Sequence, residues 1–184
     1  MSGTANNDAT LVQRAKDGDK TAFAVLYELY QPPVFTYVYY RVDSQTLAED
    51  LTSEVFVRMV AKIRTYRAAS PFLAWLYTIA RNLITDHYRQ ASRLAPLHER
   101  TAMSQIDPSE EAHRRLQETE LRTALIKLSE DQRQVVLLKF IEHRSNAQIA
   151  SLLGKTEGAI KSLQHRALDA LRRYLSKQNK NEFI

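Results

Sequence analysis

Cysteine is absent from all 184 residues. That excludes disulfides, thiolate metal sites and cysteine catalysis, and makes a reducing cytosol the easiest setting. Four glycines and five prolines leave little room for a turn-rich β fold. No run of about eighteen apolar residues occurs, and the opening MSGTANNDAT has neither a basic start nor an apolar core, so no membrane insertion and no secretion are expected. A phosphate-cradling glycine loop, a paired-histidine zinc motif and a G-x-S-x-G elbow are also missing. The five histidines are scattered; His87, on the apolar side of its helix, reads as a packed residue rather than a ligand. Catalysis, a metal and a cofactor are therefore not expected.

The length suits one substantial domain or two small ones. Charge is unevenly placed. Lys and Arg against Asp and Glu number 10 to 9 over residues 1–90, 4 to 6 over 91–120 and 12 to 6 over 121–184. A C-terminal basic excess suits a polyanionic partner, although a solvated basic face has the same composition.

Along the chain the first ten residues are small and polar and are expected to fray. A short helical pattern covers Leu11 to Ala15 and stops at Asp17-Gly18-Asp19. A second helix is expected from Lys20 to Tyr30, broken by Pro32-Pro33, with a third over Val34 to Val42. The tyrosines of this region suit core packing, and a base-stacking surface would use the same residue type. Thr46-Leu-Ala-Glu49 reads as a capping box opening a long helix to about Tyr66, with Leu51, Val55, Met59 and Ile63 as its core stripe. Glu49, Asp50, Ser53 and Glu54 lie on its exposed first turns. Acidic residues there complement the helix dipole; they also form a docking face for a basic partner. These acids are expected to lack a basic partner four residues on in their own helix.

The stretch Ser70 to Gln90 is the most informative. Ser70 and Pro71 read as N-cap and first helical position, and Phe72, Leu76, Ile79, Ala80 and Leu83 form one apolar stripe. Trp75, Thr78, Asn82, Asp86 and Arg89 form another at steps of three and four. An indole, an amide and a guanidinium on one wet face can stack an unpaired base, bond its edge and hold the adjoining phosphate. An ordinary amphipathic helix with a half-buried Trp has the same spacing. Residues 91–107, irregular and interrupted by Pro96, read as a flexible linker able to span roughly 55–60 Å if extended.

Asp107-Pro108 restarts a helix to about Leu128. Ser129-Glu-Asp-Gln132 and Ser145-Asn-Ala-Gln148 are capping boxes, Gly154 ends the helix after the second, and Thr156 caps the last helix. Ala159, Ile160, Leu163, Ala167, Ala170 and Leu171 are expected to face inward there. This is a helix-turn-helix pattern, whose second helix enters the major groove. Its outward residues are Glu157, Gly158, Lys161, Ser162, His165 and Arg166. Glu157 suits cytosine, and Lys161 and Arg166 suit guanine or phosphate. A plain helical hairpin with a solvated basic side is the alternative.

The order of these parts, together with Phe23-Ala-Val-Leu-Tyr-Glu-Leu-Tyr30, Ala48-Glu-Asp-Leu-Thr-Ser-Glu-Val-Phe56, Phe72-Leu-Ala-Trp-Leu-Tyr-Thr-Ile-Ala-Arg-Asn-Leu-Ile-Thr-Asp-His-Tyr88 and Leu152-Leu-Gly-Lys-Thr-Glu-Gly-Ala-Ile-Lys-Ser-Leu-Gln-His-Arg-Ala-Leu168, resembles the bacterial sigma factors of the extracytoplasmic-function group. The resemblance covers nearly the whole chain apart from its ends and the linker. It implies an all-α protein of two small helical domains: residues 1–90, which dock on core RNA polymerase and open the minus-ten element, and residues 108–184, whose helix-turn-helix reads the minus-thirty-five element. It assigns Glu49, Asp50, Leu51, Ser53, Glu54 and Phe56 to docking on the polymerase β′ clamp helices. Trp75, Thr78, Asn82, Asp86 and Arg89, with the loop Thr65–Ser70, are assigned to minus-ten DNA. Thr156, Glu157, Lys161, Ser162, His165 and Arg166 fall to minus-thirty-five DNA. The implied partners are core polymerase, including its β flap, promoter DNA and an anti-sigma factor; the free protein is expected to be a cytoplasmic monomer that joins the nucleoid with polymerase. Thr52-Ser53 and Leu163-Gln164 depart from residues frequent in the family. Regulation by a further domain after Tyr174 is not expected. A free-standing helix-turn-helix regulator is the alternative, which leaves Trp75, Asn82 and the acidic helix without a role.

Overall fold

The computed structural model describes residues 3–94 and 119–181, with side chains for residues 8–92 and 119–176. Every regular element among these residues is helical. Helix α1 (Gly3–Lys16) starts well before the expected Leu11, and Leu11, Val12 and Ala15 are its buried side chains. Gly18 supplies the positive φ of the following turn, and the Asp19 side chain accepts from the Thr21 and Ala22 N–H groups to start α2 (Lys20–Tyr39).

Helix α2 runs unbroken through Pro32 and Pro33, contrary to the expected stop. Each proline removes an N–H that would reach four residues back, to Glu28 and Leu29, at roughly 3 kcal/mol in an isolated helix. Glu28 and Leu29 are exposed, so water reaches that side of the helix. Leu26, Tyr30, Val34, Tyr37 and Val38 on the opposite side are all buried. Burial at about 1.5–3 kcal/mol per large apolar side chain outweighs the local penalty.

Helix α3 (Gln45–Lys62) is capped by Ser44, whose hydroxyl accepts from the Leu47 N–H, and not by the expected Thr46. Ser44 is extended (φ −134, ψ 154), as a cap must be, whereas Thr46 already lies inside the helix. Ala48, Thr52, Val55, Phe56 and Met59 are its buried stripe, and the Thr52 hydroxyl is satisfied by the Ala48 carbonyl at 2.7 Å. A 3-10 turn (Ile63–Thr65) follows. In α4 (Phe72–Leu94) the Pro71 carbonyl accepts the first helical bonds, from Ala74 and Trp75, so proline stands at the cap and not one residue inside. Helix α4 takes in the first four residues of the expected linker; the rest of 91–107 and the start of the next expected helix lie outside the described residues.

The C-terminal unit begins with α5 (residues 119–126). Ser129 opens α6 (Glu130–Val136) with a complete capping box, and a π-type turn (Leu137–Ile141) extends it. Helix α7 (Asn146–Leu153) has the second expected box, on Ser145 and Gln148, and ends at Gly154 in the left-handed conformation (φ 63). Thr156 Oγ1 accepts from the Ala159 N–H to start α8 (Glu157–Asn181). Both expected helical units are therefore present. They do not stand apart: Val135, Leu138, Ile149, Ala150, Leu152, Ile160 and Leu163 join one continuous apolar core with α1–α4. Tyr40 packs against the smaller core of Leu125, Leu128, Val136, Leu137 and Ala167.

Candidate functional site

Three wet faces stand on buried stripes. On α3, Glu49, Asp50 and Ser53 are exposed and Glu54 half-exposed, while Leu51 is half-buried and Phe56 buried against Tyr27 (ring centroids 4.7 Å apart). Phe56 thus backs this face without lying on it. Glu49 accepts from Gln45 Nε2 at 2.9 Å. Glu54 is paired with Arg58 Nε at 2.9 Å, which corrects the expectation that these acids lack a partner four residues on. Asp50 has no charged partner among the described residues. Val57 and Val60, 62% and 52% exposed, extend the same face; they were legible as apolar residues outside the core stripe, and sequence reasoning missed them.

On α4, Thr78, Asn82 and Arg89 are exposed and Asp86 half-exposed. The Thr78 hydroxyl donates to the Ala74 carbonyl at 3.0 Å. Arg89 Nη2 lies 3.0 Å from Asp86 Oδ1, so these two charges face each other. Trp75 departs from the stripe: it is half-buried and tilted against Phe72 and Tyr66, with centroids 5.5 and 5.3 Å away. Tyr66 is also edge-on to Phe72, and Phe72 to Tyr30. These four rings pack in one cluster, and the loop that leaves it after Tyr66 exposes Arg67, Ala68, Ala69 and Ser70. Burial raises the Tyr66 phenol above its usual range and keeps it a donor, to the Ser70 carbonyl at 2.7 Å. His87 is half-buried with its ring 5.5 Å from that of Tyr88.

On α8, Thr156, Glu157, Lys161, Ser162, His165 and Arg166 are all exposed, whereas Ile160, Leu163 and Ala167 are buried. The helix therefore presents the expected side. Arg166 Nε donates to the Ser162 carbonyl at 3.3 Å. Asp169 draws in both His165 Nε2 (3.3 Å) and Arg172 Nη1 (3.5 Å), an acidic restraint on this basic surface. At the turn into the helix, Lys155 Nζ lies 3.0 Å from Asp131 Oδ2 and ties α6 to the helix-turn-helix.

No cluster of potential metal ligands occurs among the described residues. Nor is any helix there long and apolar enough to cross a membrane.

This arrangement, an acidic helix and an aromatic-floored helix followed by a helix-turn-helix, is that of the Sigma-70 family. Its region 2 matches residues 26–94 and its region 4 matches residues 118–171. Within that family the chain belongs to the extracytoplasmic-function RNA polymerase sigma factors. It is 33% identical to SigC of Mycobacterium tuberculosis over 93% of its own length and 94% of the relative's. It is 40% identical to BldN of Streptomyces coelicolor over 90% of its length, and spans 64% of that longer relative. Among solved structures, the sigma factor RpoE of Bartonella quintana, in complex with the anti-sigma factor NepR, is 26% identical with a TM-score of 0.59, over 84% of this chain and 96% of that one. The region 2 match removes the alternative of a free-standing helix-turn-helix regulator, because it covers α3 and α4, which lie outside the helix-turn-helix.

Proposed function

We propose that this sigma factor docks on core RNA polymerase through α3 and reads its promoter in two pieces, with α4 and its preceding loop on unpaired bases and α8 on duplex DNA. One observation carries the reading: the faces of α3, α4 and α8 that bear Asp50, Asn82 and Lys161 are wet, while the opposite side of each helix is core. Glu49, Asp50, Ser53 and Glu54 suit a basic partner such as the β′ clamp helices, with Leu51 and Phe56 behind them and Val57 and Val60 adding apolar contact. The Asn82 amide can bond a base edge, Trp75 offers a half-exposed wall to stack on, and Arg89 reaches a phosphate once it leaves Asp86. Thr78 widens this polar strip towards the Thr65–Ser70 loop. Lys161, Ser162, His165 and Arg166 line the side of α8 that faces the major groove, with Thr156 and Glu157 at its entry. Exposed Phe140 and Ile141 give the C-terminal unit an apolar patch for the β flap.

The same reading makes the protein a cytoplasmic monomer held in reserve by an anti-sigma factor. It enters the nucleoid with polymerase, carries out no catalytic step itself and needs no cofactor or metal. Two measurements test it. The chain should co-elute with core polymerase on gel filtration. Asn82→Ala should leave that association intact and reduce permanganate reactivity of minus-ten thymines, because one base contact is worth ~1–3 kcal/mol. Failure to co-elute, or equal reactivity in mutant and wild type, overturns it.

A further inference from the structure

The Tyr66–Pro71 loop is built unlike an ordinary connection. Its first residue, Tyr66, belongs to the four-ring cluster, and its two ends are tied by the half-buried Lys16 and the buried Tyr66. At the near end, Lys16 Nζ, from the last turn of α1, donates to the Tyr66 carbonyl at 2.8 Å. The same ammonium lies 5.6 Å from the centroid of the Tyr66 ring. At the far end, the Tyr66 hydroxyl donates to the Ser70 carbonyl at 2.7 Å. Tyr66 is only 8% exposed, wedged against Phe72 and Trp75, and α1 is itself fastened to α2 by the bond from the Tyr30 hydroxyl to Asp8 Oδ2 at 2.5 Å. The polar ties therefore fix where the loop backbone runs, and the exposed Arg67, Ala68, Ala69 and Ser70 inherit their positions from it. A loop that must catch an extruded base loses affinity to its own ordering unless it is held in shape beforehand.

We infer that Lys16 and Tyr66 are positioning residues for promoter opening: they preset the Tyr66–Pro71 loop for an unpaired base and do not touch DNA themselves. The inference rests on the proposal that this loop and α4 receive minus-ten bases. It places a determinant of opening on α1, outside the residues matched by region 2.

The test uses the whole chain with core polymerase and five variants, of which Asn82→Ala serves as the reference for the minus-ten reading. Lys16→Met keeps the aliphatic stem and removes the donor; Tyr66→Phe keeps the ring and removes the hydroxyl. Lys16→Arg restores a donor, and Arg67→Ala alters the loop itself. Holoenzyme formation and the melting temperature of the free protein are measured beside the rate of open-complex formation. Binding to a single-stranded minus-ten oligonucleotide, intact or with one abasic position at a time, completes the set. Lys16→Met and Tyr66→Phe should each slow opening about tenfold, the worth of one such hydrogen bond, with polymerase affinity unchanged. Each should also flatten the difference between the intact oligonucleotide and one abasic position, and Lys16→Arg should recover most of the loss. Should Lys16→Met fail to fold, Tyr66→Phe carries the test alone. Wild-type opening in Lys16→Met and Tyr66→Phe, with Arg67→Ala or Asn82→Ala impaired, overturns this inference and leaves the minus-ten reading standing. Wild-type opening in all of them overturns both. A loss that follows melting temperature equally at every abasic position makes the two residues merely structural and also overturns it.

Discussion

Arg41 Nη2 lies 2.9 Å from Glu130 Oε1, across the boundary between the two helical units. The guanidinium side chain is 4% exposed. It also donates to the Tyr37 carbonyl at 2.7 Å and sits over the Tyr37 ring, 3.6 Å from its centroid, while the Tyr37 hydroxyl donates to the same glutamate at 3.0 Å. Arg122 adds a second crossing, over the Tyr39 ring and onto the Val42 carbonyl. A third joins the buried Tyr77 to Glu142, itself paired with Arg144. The surfaces between the units are thus specified by paired polar groups as well as by apolar packing.

Removing Glu130 leaves the Arg41 charge buried with one partner fewer. Glu130→Ala should therefore destabilise the protein by about 1–3 kcal/mol, the cost of stranding a buried donor, measured by urea unfolding. Burial alone would raise the Glu130 carboxyl, but the charge and bonds of Arg41 and the bond from Tyr37 outweigh it and hold it below its usual range. A lowered acid stabilises fully above its unfolded pKa, about 4.3 for glutamate, and loses that contribution as pH falls through the folded value. Acid unfolding should accordingly be less steep in Glu130→Gln than in wild type. Identical stability and acid profiles would mean that the two units do not pack this way in solution.

Burial raises the phenols of Tyr30, Tyr37, Tyr66 and Tyr77, Tyr37 to about 12 even with Arg41 opposing it. A raised phenol contributes fully below the ordinary pKa of about 10 and loses its contribution as pH climbs above it. Tyrosinate absorbance should therefore lag in the folded protein relative to the denatured one, and stability should fall through the alkaline range. Coincident folded and denatured titrations would contradict the burial of these four rings.

At the acidic face, Glu54 already answers to Arg58 whereas Asp50 faces solvent. Asp50→Lys alone should weaken core polymerase binding, and adding Glu54→Lys should weaken it further while also setting a lysine against Arg58. Circular dichroism should stay native for both variants, since neither side chain is buried. Wild-type affinity in the double variant would remove α3 as the docking element.

Lys161 and Arg166 are two cations near the start of α8 that Asp169 does not draw in. Lys161→Ala should cost ~1–3 kcal/mol on the intact minus-thirty-five element and relax one position, as a base-edge contact does. Arg166→Ala should weaken all sequences alike and lower the salt slope by about one unit, as a phosphate contact does. Isotherms on intact and scrambled promoters at several salt concentrations separate the two, and wild-type binding by both variants would exclude α8 as the reader.

Local chemistry was readable from the amino-acid order. The boxes at Ser129 and Ser145, the stop at Gly154 and the cap at Thr156 stand where the residues put them, because each is satisfied within four positions of itself. The wet sides of α3, α4 and α8 follow from helical spacing alone. What depends on distant partners was not readable. Helix α2 continues through Pro32-Pro33 because the burial of Leu26, Tyr30, Val34, Tyr37 and Val38 against other helices exceeds the local cost. Trp75 turns into the core because Tyr66 and Phe72 meet it there. Lys16 finds Tyr66 from 50 residues away and Arg41 finds Glu130 from 89, distances at which no period or motif carries information. The sequence by itself determined the caps and stops of the C-terminal helices and which sides of α3 and α8 stay wet, because these depend on neighbours within a turn or two. Only the tertiary structure decided which side chains shape the loop over α4 and how the two units are joined, because those choices are made by burial and pairing between helices.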